Sequence, residues 1–424
     1  MKKIIFPICF LSMMFLMCSC TNDEHESQND FDNPSQSYAL SENEVLKIIN
    51  SFQKGVTESS LTRSCLTDEY SYNIEKKYYI SNPSSTRSAS SSKGLVYEVI
   101  LSKENNKGKV LVSGDKRFPE VLAYIPYCND SVNTINSGAS VMLQMAKNVF
   151  IEEIENYNIK YPREVQTRST AIEQIPSQIY LEVYPLCKTS WDQWEPYTNA
   201  YPKNWVDIFF GMCSYTHYPA GCAVVALAQI MAALEPNLTC AGLKMDWAYL
   251  KQNPVINGGP FGEIDDARKR DMVAALFKDI YDKTNSYPIW GTGETDAWPP
   301  ETVACVTSVG TNSSNVYNYL NSINGTTYCN SYQRWNIDVV RNSLLNIRPV
   351  FVGGDGHAFI IDGYAVAKNP SSNNSNIYFH ANFGWGGSSN GYYLSNNNGS
   401  ITFETSSGNY ADTQLSVISD IRKR

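Results

Sequence analysis

Cys222 is the side chain in this sequence best placed to act as a nucleophile. It follows Gly221 and opens an almost wholly apolar segment, Ala223 to Leu234, which is typical of a helix buried on all sides. At a helix N-terminus the dipole and the unpaired backbone N–H groups favour a thiolate, and the same groups can stabilise an oxyanion. Taken alone, however, a cysteine in this position is more often a small core residue.

His357 is the residue that would activate this cysteine. It follows a glycine-rich turn, Gly353 to Gly356, and opens an apolar strand that would hold its ring. A neutral imidazole close to a thiol can take its proton and give an ion pair that is nucleophilic at neutral pH. Asp362 lies an odd number of residues further along the strand, on the opposite face, so we do not expect it to orient the imidazole.

Three further residues could complete a cysteine hydrolase site. Such enzymes often use an Asn carboxamide to orient the histidine and a Trp to shield that hydrogen bond, and Asn382 and Trp385 are available for these roles. Gln193, upstream of the nucleophile, offers an amide donor for an oxyanion hole. His380 is a less favoured base because on a strand it would share the face of Asn382, and His217 is less favoured still.

The elements that must position these residues are predicted in two parts. The first part begins with a capping box, Ser41 to Glu44, and an amphipathic helix. Alternating strands over Leu95–Leu101, Val110–Ser113 and Val121–Ile125 follow, and then a helix over Val141–Ile154. Residues 37–156 therefore predict a small α+β unit that carries no obvious chemistry.

A linker and a second α+β part follow. Residues 157–180 are polar and lack periodicity, which predicts an exposed linker with Arg163 and Arg168 as candidate cleavage points. In residues 181–424 the buried helix precedes short strands separated by glycines. The strands are predicted over Val350–Val352, His357–Asp362, Ile377–Asn382 and Tyr392–Leu394.

The N-terminus predicts an export signal rather than part of the fold. Two lysines precede an apolar run from Ile4 to Met17, which is too short for an ordinary transmembrane helix. The run ends at a sequence that resembles a bacterial lipoprotein signal over residues 1–19, with Cys20 as the lipidated residue; ordinary secretion is the alternative. Residues 20–36 predict a flexible acidic tether. We therefore expect a lipoprotein of the cell envelope or surface, with the outer membrane favoured.

Composition and cysteine spacing exclude several other classes. The 424 residues are 42% hydrophobic with a net charge of −8, so the chain can form a sizeable core and nucleic acid is a poor candidate partner. Of the 11 cysteines, Cys9 and Cys18 would leave with the signal and Cys20 would carry lipid. The even number that remains invites disulfides, but their scattered spacing argues against a disulfide framework. No Cys/His pair has the spacing of metal ligands, and thiol chemistry requires no organic cofactor, so we expect neither.

In their order and spacing, four motifs together resemble the streptopain family of papain-like cysteine peptidases. The resemblance extends from about residue 180 to the C-terminus, and the first part, including the segment Val112 to Asp115, is similar to the propeptide domain of this family. The motifs are Trp191-x-Gln193 with Pro196-Tyr197-x-Asn199, Gly221-Cys222 with Ala228-Gln229-Ile230-Met231, Gly356-His357-Ala358-Phe359 with Ile361-Asp362-Gly363-Tyr364, and His380-x-Asn382-x-Gly384-Trp385-Gly386-Gly387.

The resemblance implies a fold and a set of catalytic roles. It implies a papain-like α+β domain whose buried helix carries the nucleophile and packs on an antiparallel β-rich half. Cys222 matches the nucleophile and His357 the proton acceptor. Gln193 matches the amide that forms the oxyanion hole together with the backbone N–H of Cys222.

Supporting roles and two departures also follow from the resemblance. Trp385 matches a Trp that covers the histidine, Asn382 the Asn beside it, and Gly356 a glycine whose backbone contacts bound peptide. Phe383 replaces a Trp that is usual in the last motif. Residues 287–296 replace a glycine- and serine-rich substrate loop, which changes the expected substrate preference but not the chemistry.

We therefore expect the zymogen of a cysteine endopeptidase that acts on proteins or peptides. Residues 37–156 would be its inhibitory prodomain, and cleavage in the linker would release the peptidase from its membrane anchor. Two alternatives remain open at this point. One is an inactive surface binding protein on a peptidase scaffold, and the other is a different thiol acyltransferase or amidase.

Overall fold

The structure is a computed structural model. It describes residues 38–57, 70–81, 92–128, 138–162, 176–204, 213, 216–258, 264–294, 302–354, 356–370, 375–395, 400–404 and 410–424. The predicted signal, Cys20, the acidic tether, Arg163 and Arg168 lie outside these residues. Among the helices it does describe, none is both long and apolar enough to cross a bilayer.

The first part of the chain is here called the N-terminal unit, and its described residues form two helices and four strands. Its first helix begins where the sequence predicts: the Ser41 backbone N–H donates to the Glu44 carboxylate at 2.7 Å, and the Glu44 N–H points back to Ser41 Oγ at 3.4 Å. The elements are α1 (Glu42–Thr57), β1 (Ser71–Ser81), β2 (Lys93–Lys103), β3 (Asn106–Ser113), β4 (Val121–Ile125) and α2 (Gly138–Lys160).

The second part is here called the peptidase half, after the family that its motifs resemble, and is a mixture of helices and short strands. Its predicted central helix is present and almost entirely buried. The elements are β5 (Gln178–Val183), α3 (Cys222–Leu234), β6 (Thr239–Cys240), β7 (Leu243–Lys244), α4 (Trp247–Leu250), α5 (Ala267–Lys283), β8 (Tyr287–Glu294), β9 (Thr302–Gly310), α6 (Ser313–Asn318), a π-helical turn (Tyr319–Ile323), β10 (Thr327–Tyr328), β11 (Gln333–Arg334), α7 (Ile337–Leu345), β12 (Val350–Gly354), β13 (His357–Lys368), β14 (Ser375–Asn382), β15 (Gly391–Ser395), β16 (Ser400–Glu404), β17 (Tyr410–Gln414), β18 (Ser416–Ile418) and β19 (Arg422–Lys423).

One antiparallel sheet runs through both parts of the chain. Within the described residues its strand order is β1-β2-β3-β4-β15-β14-β13-β12-β18-β11, and β5 pairs with the second half of β13. The two parts join where β4 pairs with β15, with Tyr124 opposite Tyr392 and Ala123 opposite Tyr393. The predicted α+β class is confirmed, and the N-terminal unit extends the peptidase sheet rather than forming a separate body.

The hydrophobic core is continuous across this junction. The ring of Phe52 on α1 packs against Tyr378 on β14, with ring centroids 4.9 Å apart, and against Tyr124 on β4 at 5.7 Å. The Tyr378 hydroxyl donates to the Val121 carbonyl at 2.6 Å. A second cluster of buried residues surrounds α3 and α5 in the peptidase half.

The predicted boundaries of the linker require correction. Helix α2 does not end near Ile154 but continues to Lys160, and β5 begins at Gln178. Tyr157 on this last stretch of α2 is buried. Both ends of the predicted linker, residues 157–180, are therefore regular structure, and residues 163–175 lie outside the described part.

A hairpin occupies the position of the replaced substrate loop. Strands β8 and β9 pair from Tyr287 opposite Gly310 to Glu294 opposite Thr302. A disulfide joins Cys213 to Cys305 on β9. The scattered spacing of the cysteines did not predict this bridge. Trp290 on β8 is 60% exposed.

Candidate active site

The turn before α3 places Cys222 close to the strand that carries the histidine. Gly221 has φ 85, and a Cβ there would stand 2.9 Å from the Val309 carbonyl oxygen, so both its conformation and the space require glycine. Cys222 Sγ accepts a hydrogen bond from the backbone N–H of Ala358 at 3.3 Å. The candidate nucleophile thus contacts the residue that follows His357.

Burial and backbone hydrogen bonds act in opposite directions on the pKa of the Cys222 thiol. Burial raises its pKa above the usual value, and hydrogen bonds from the backbone N–H groups of Ala358, Ala223 and Cys222 itself act in the opposite direction without overcoming it. Desolvation and the N–H groups at the head of α3 thus have opposite effects on the pKa of this thiol.

His357 is enclosed by aromatic rings. Its imidazole stacks on Trp385, with centroids 5.4 Å apart and planes 14° from parallel, and on Phe359 at 6.3 Å. Its Nε2 lies 3.2 Å from the carbonyl oxygen of Phe383. Burial lowers the pKa of His357 to about 4, although the bond to this carbonyl acts in the opposite direction.

The bond to Phe383 fixes which ring nitrogen of His357 carries the proton. A carbonyl oxygen can only accept, so Nε2 must be the donor, and in the neutral ring Nδ1 is then the base. This is the tautomer that a proton acceptor for a thiol needs. Among the described contacts, however, no hydrogen bond joins His357 to Cys222. The Cys222 sulfur instead accepts a hydrogen bond from the backbone N–H of Ala358.

Asn382 does not orient the imidazole of His357, which is the role expected for it by analogy with other cysteine hydrolases. Its carboxamide Nδ2 donates to the Thr189 carbonyl at 2.9 Å, and its Oδ1 accepts from Gln229 Nε2 at 3.0 Å. In the described structure it makes no hydrogen bond to His357, which is held by the backbone carbonyl of the next residue, Phe383. The Trp-to-Phe change at this position leaves that carbonyl in place.

Four further candidates from the sequence are Gln193, Gly356, His217 and His380. Gln193 is buried, and its carbonyl accepts from the N–H of Ala220 at 2.9 Å, which places its backbone beside the turn that leads to the nucleophile. Gly356 is exposed, and its φ of 69 favours glycine. Among the described contacts, no hydrogen bond joins His217 or His380 to the thiol.

Both of these histidines are paired with carboxylates. His217 Nδ1 is 2.7 Å from Glu195, and His380 Nδ1 is 2.6 Å from Asp362. Asp362 also accepts from the backbone N–H of Cys187 at 2.9 Å, so it serves this pair rather than His357. Within the described residues no group of three or more His, Cys, Asp or Glu side chains could hold a metal ion.

One contact at this site could not be read from the sequence. Gly138, the first residue of α2, lies against the rings of His357 and Phe359. A Cβ at Gly138 would stand 2.9 Å from His357 Cδ2. The N-terminal unit therefore reaches His357, the candidate catalytic histidine.

Comparison with known proteins supports a peptidase. Residues 191–393 match the model of the Peptidase C10 family. The chain is 26% identical over 320 residues to streptopain of Streptococcus pyogenes, covering 68% of this chain and 71% of streptopain. Over 87 residues it is 39% identical to the thiol protease/hemagglutinin PrtT of Porphyromonas gingivalis, covering 19% of this chain and 9% of PrtT.

Two solved structures are also similar. A prointerpain A fragment of Prevotella intermedia is 17% identical, with a TM-score of 0.44, over 81% of this chain and 98% of the fragment. Active interpain A from the same organism is 19% identical, with a TM-score of 0.35, over 56% of this chain and 93% of its own. The family match and the streptopain similarity confirm the predicted resemblance to the streptopain-like cysteine peptidases.

Proposed function

We infer that this streptopain-like cysteine endopeptidase is a zymogen in which the N-terminal unit holds the catalytic residues apart. Cys222 is the nucleophile and His357 its proton acceptor. The observation that carries this proposal is the packing of Gly138, at the start of α2, against the ring of His357.

The proposed reaction is acyl transfer from a peptide bond. His357 Nδ1 takes the proton of Cys222, and the thiolate attacks the peptide carbonyl while the Gln193 amide and the Cys222 N–H stabilise the oxyanion. The C–N bond breaks as the imidazolium protonates the leaving amine, which leaves a thioester. A water activated by His357 then hydrolyses the thioester and restores the thiol.

In the described arrangement this cycle cannot begin. Burial disfavours both the thiolate of Cys222 and the imidazolium of His357, and the N–H of Ala358 only partly offsets this at the sulfur. Removal of the N-terminal unit would free one side of His357 and admit water to the dyad. A small movement of the ring would then bring Nδ1 to the sulfur.

The proposal extends to a cleavage of the linker that would release the peptidase half from the membrane. A cut within residues 163–175, with Arg163 and Arg168 as candidates, would divide the chain between α2 and β5. If Cys20 carries lipid at the outer membrane, as the N-terminal sequence suggests, the cut would leave the anchor on the N-terminal unit. The peptidase half would then leave the membrane once β4 separates from β15.

Hydrolysis of an unfolded protein substrate tests the catalytic assignment. Residues 21–424 are trimmed with trace trypsin, and substrate cleavage is followed for wild type, Cys222→Ala and Cys329→Ala, the last altering a buried free cysteine elsewhere. We expect cleavage by wild type and Cys329→Ala only. Cleavage by folded Cys222→Ala would contradict the assignment. A folded, trimmed wild type without activity would favour a binding protein on a peptidase scaffold.

A further inference from the structure

A single buried amide, that of Gln229, lies where three segments of the active site meet. Gln229 is two helical turns after Cys222 on the same helix, α3, and its side chain is fully buried. A buried amide is costly unless its donors and acceptor are paired, so its partners define how the surrounding segments must sit.

The first group of partners is the segment that leads to the oxyanion-hole residue. Gln229 Oε1 accepts from the backbone N–H of Trp191 at 3.2 Å and from Thr189 Oγ1 at 3.4 Å. Trp191 is itself fully buried and lies two residues before Gln193. The amide therefore joins the nucleophile helix to the segment that carries Gln193.

The second partner is Asn382, with which Gln229 exchanges two hydrogen bonds. Gln229 Nε2 donates to Asn382 Oδ1 at 3.0 Å, and Asn382 Nδ2 lies 3.2 Å from Gln229 Oε1. Asn382 Oδ1 also accepts from the backbone N–H of Gly384 at 3.2 Å, which fixes the turn at the end of β14. Phe383 lies between Asn382 and Gly384, and its carbonyl accepts a hydrogen bond from His357. Trp385 follows Gly384 directly.

We propose that Gln229 is a positioning residue for the peptidase reaction. It touches neither substrate nor reacting atoms, but it fixes the helix of Cys222, the segment of Gln193 and the turn that holds His357 relative to one another. Catalysis of acyl transfer depends on this geometry to within about 1 Å, a displacement that can cost about 100-fold in rate. The inference rests on the proposed roles of Cys222 and His357.

Two variants and a matched control separate positioning from packing. Gln229→Leu removes every side-chain hydrogen bond with little change in volume. Gln229→Glu keeps the shape and the acceptor but donates to Asn382 only while its carboxyl is protonated. Leu227→Met is the control, because it alters a fully buried side chain on the same helix without a hydrogen bond.

Steady-state kinetics on trimmed protein, normalised to active sites titrated with an epoxide inactivator, give the decisive readout. We expect kcat per titrated site to fall by about 10- to 100-fold in Gln229→Leu, with KM nearly unchanged. Leu227→Met should match wild type. A normalised kcat for Gln229→Leu equal to that of wild type would overturn the proposal, since a purely structural role lowers the amount of active protein only.

The pH profile of Gln229→Glu gives a second readout that does not depend on Gln229→Leu folding. The titratable groups near this amide are Cys187, whose Sγ is 3.5 Å from the Gln229 carbonyl, and the Asp362–His380 pair behind it; wild type retains all three. We expect the ratio of variant to wild-type kcat to fall as the pH rises and the new carboxyl ionises. Parallel profiles would overturn the proposal.

Measurements on the wild type separate a failure of this inference from a failure of the catalytic assignment. Wild type that is neither titrated by the epoxide nor active would overturn the proposed roles of Cys222 and His357 and, with them, this inference. Active wild type alongside unaltered Gln229 variants would overturn the positioning role alone.

Discussion

Gly138 and His357 are in direct contact, although one belongs to the N-terminal unit and the other to the peptidase half. A Cβ at Gly138 would stand 2.9 Å from His357 Cδ2 and 2.7 Å from Phe359 Cδ1, so the contact leaves no room for a side chain. The pairing of β4 with β15 holds the start of α2 at this place. The proposed latency and the continuity of the sheet would therefore have the same structural origin.

Enlarging Gly138 should weaken latency. In Gly138→Val the added methyl groups would force α2 away from His357 and Phe359, at a cost of about 1–3 kcal/mol. We expect the uncut variant to react with an epoxide inactivator faster than uncut wild type, as measured by intact-mass spectrometry. Ile159→Ala, at an exposed position near the end of the same helix, is the control. Equal rates for Gly138→Val and wild type would show that this contact does not restrain the dyad.

Glu120 should make stability depend on pH. Its carboxylate accepts from Ser177 Oγ, and burial raises its pKa from 4.5 to about 7. The folded protein therefore holds this proton more tightly than the unfolded chain, so this contribution to stability is greatest below pH 4.5 and declines as the pH rises to about 7. Glu120→Gln removes the titration.

Thermal unfolding across this pH range measures the effect of Glu120. We expect Glu120→Gln to resemble wild type near pH 4 and to be the more stable protein near pH 8. Glu152→Gln, which alters an exposed glutamate on α2, should track wild type throughout. A constant difference in melting temperature between Glu120→Gln and wild type would contradict the prediction.

Trp385 should control the protonation of His357. Its ring covers the imidazole, and burial is the main reason that the pKa of His357 lies near 4 rather than 6.5. In Trp385→Ala water would reach the ring, so we expect this pKa to rise toward 6.5 and kcat to fall. Trp385→Phe retains an apolar cover and should lie between.

NMR titration of the imidazole, in a Cys222→Ala background and with the signal assigned by loss in His357→Gln, measures this shift. An unchanged pKa in Trp385→Ala would mean that the indole does not provide the shielding.

The disulfide between Cys213 and Cys305 should stabilise the hairpin beside the nucleophile. It closes a sequence separation of 92 residues, and Val309 on the same strand packs against Gly221. Loss of a disulfide of this kind costs about 2–4 kcal/mol. We expect the double variant Cys213→Ser/Cys305→Ser to unfold at lower urea concentration under non-reducing conditions. An unchanged midpoint would contradict a stabilising bridge.

Local patterns were sufficient for the elements that carry the chemistry. The capping box at Ser41, the apolar helix after Cys222 and the strand that begins at His357 all lie where the sequence predicted them. Each depends on the chemistry of adjacent residues, such as a cap, an apolar run or a glycine turn. The four motifs, by their residues, order and spacing, then indicated a cysteine peptidase through their resemblance to a known family.

Long-range relationships could not be read in the same way. The pairing of β4 with β15 and of β5 with β13 joins residues far apart in sequence. Local sequence therefore predicts a linker over residues 157–180, although Gln178 begins a strand. Asn382 was expected to orient His357, but its carboxamide is used by Gln229 on another element. A backbone carbonyl, that of Phe383, holds the imidazole, and backbone groups leave no signature in residue type.

The most direct test of the central claim is the rate at which an epoxide inactivator labels Cys222 before and after cleavage between residues 162 and 176. The protein is residues 21–424, and the adduct is located by peptide mass spectrometry. We expect stoichiometric labelling of Cys222 that appears only once the N-terminal unit has been cut away. Equal labelling of the intact chain would contradict latency, and labelling of the trimmed, folded protein at any other cysteine would contradict the nucleophile.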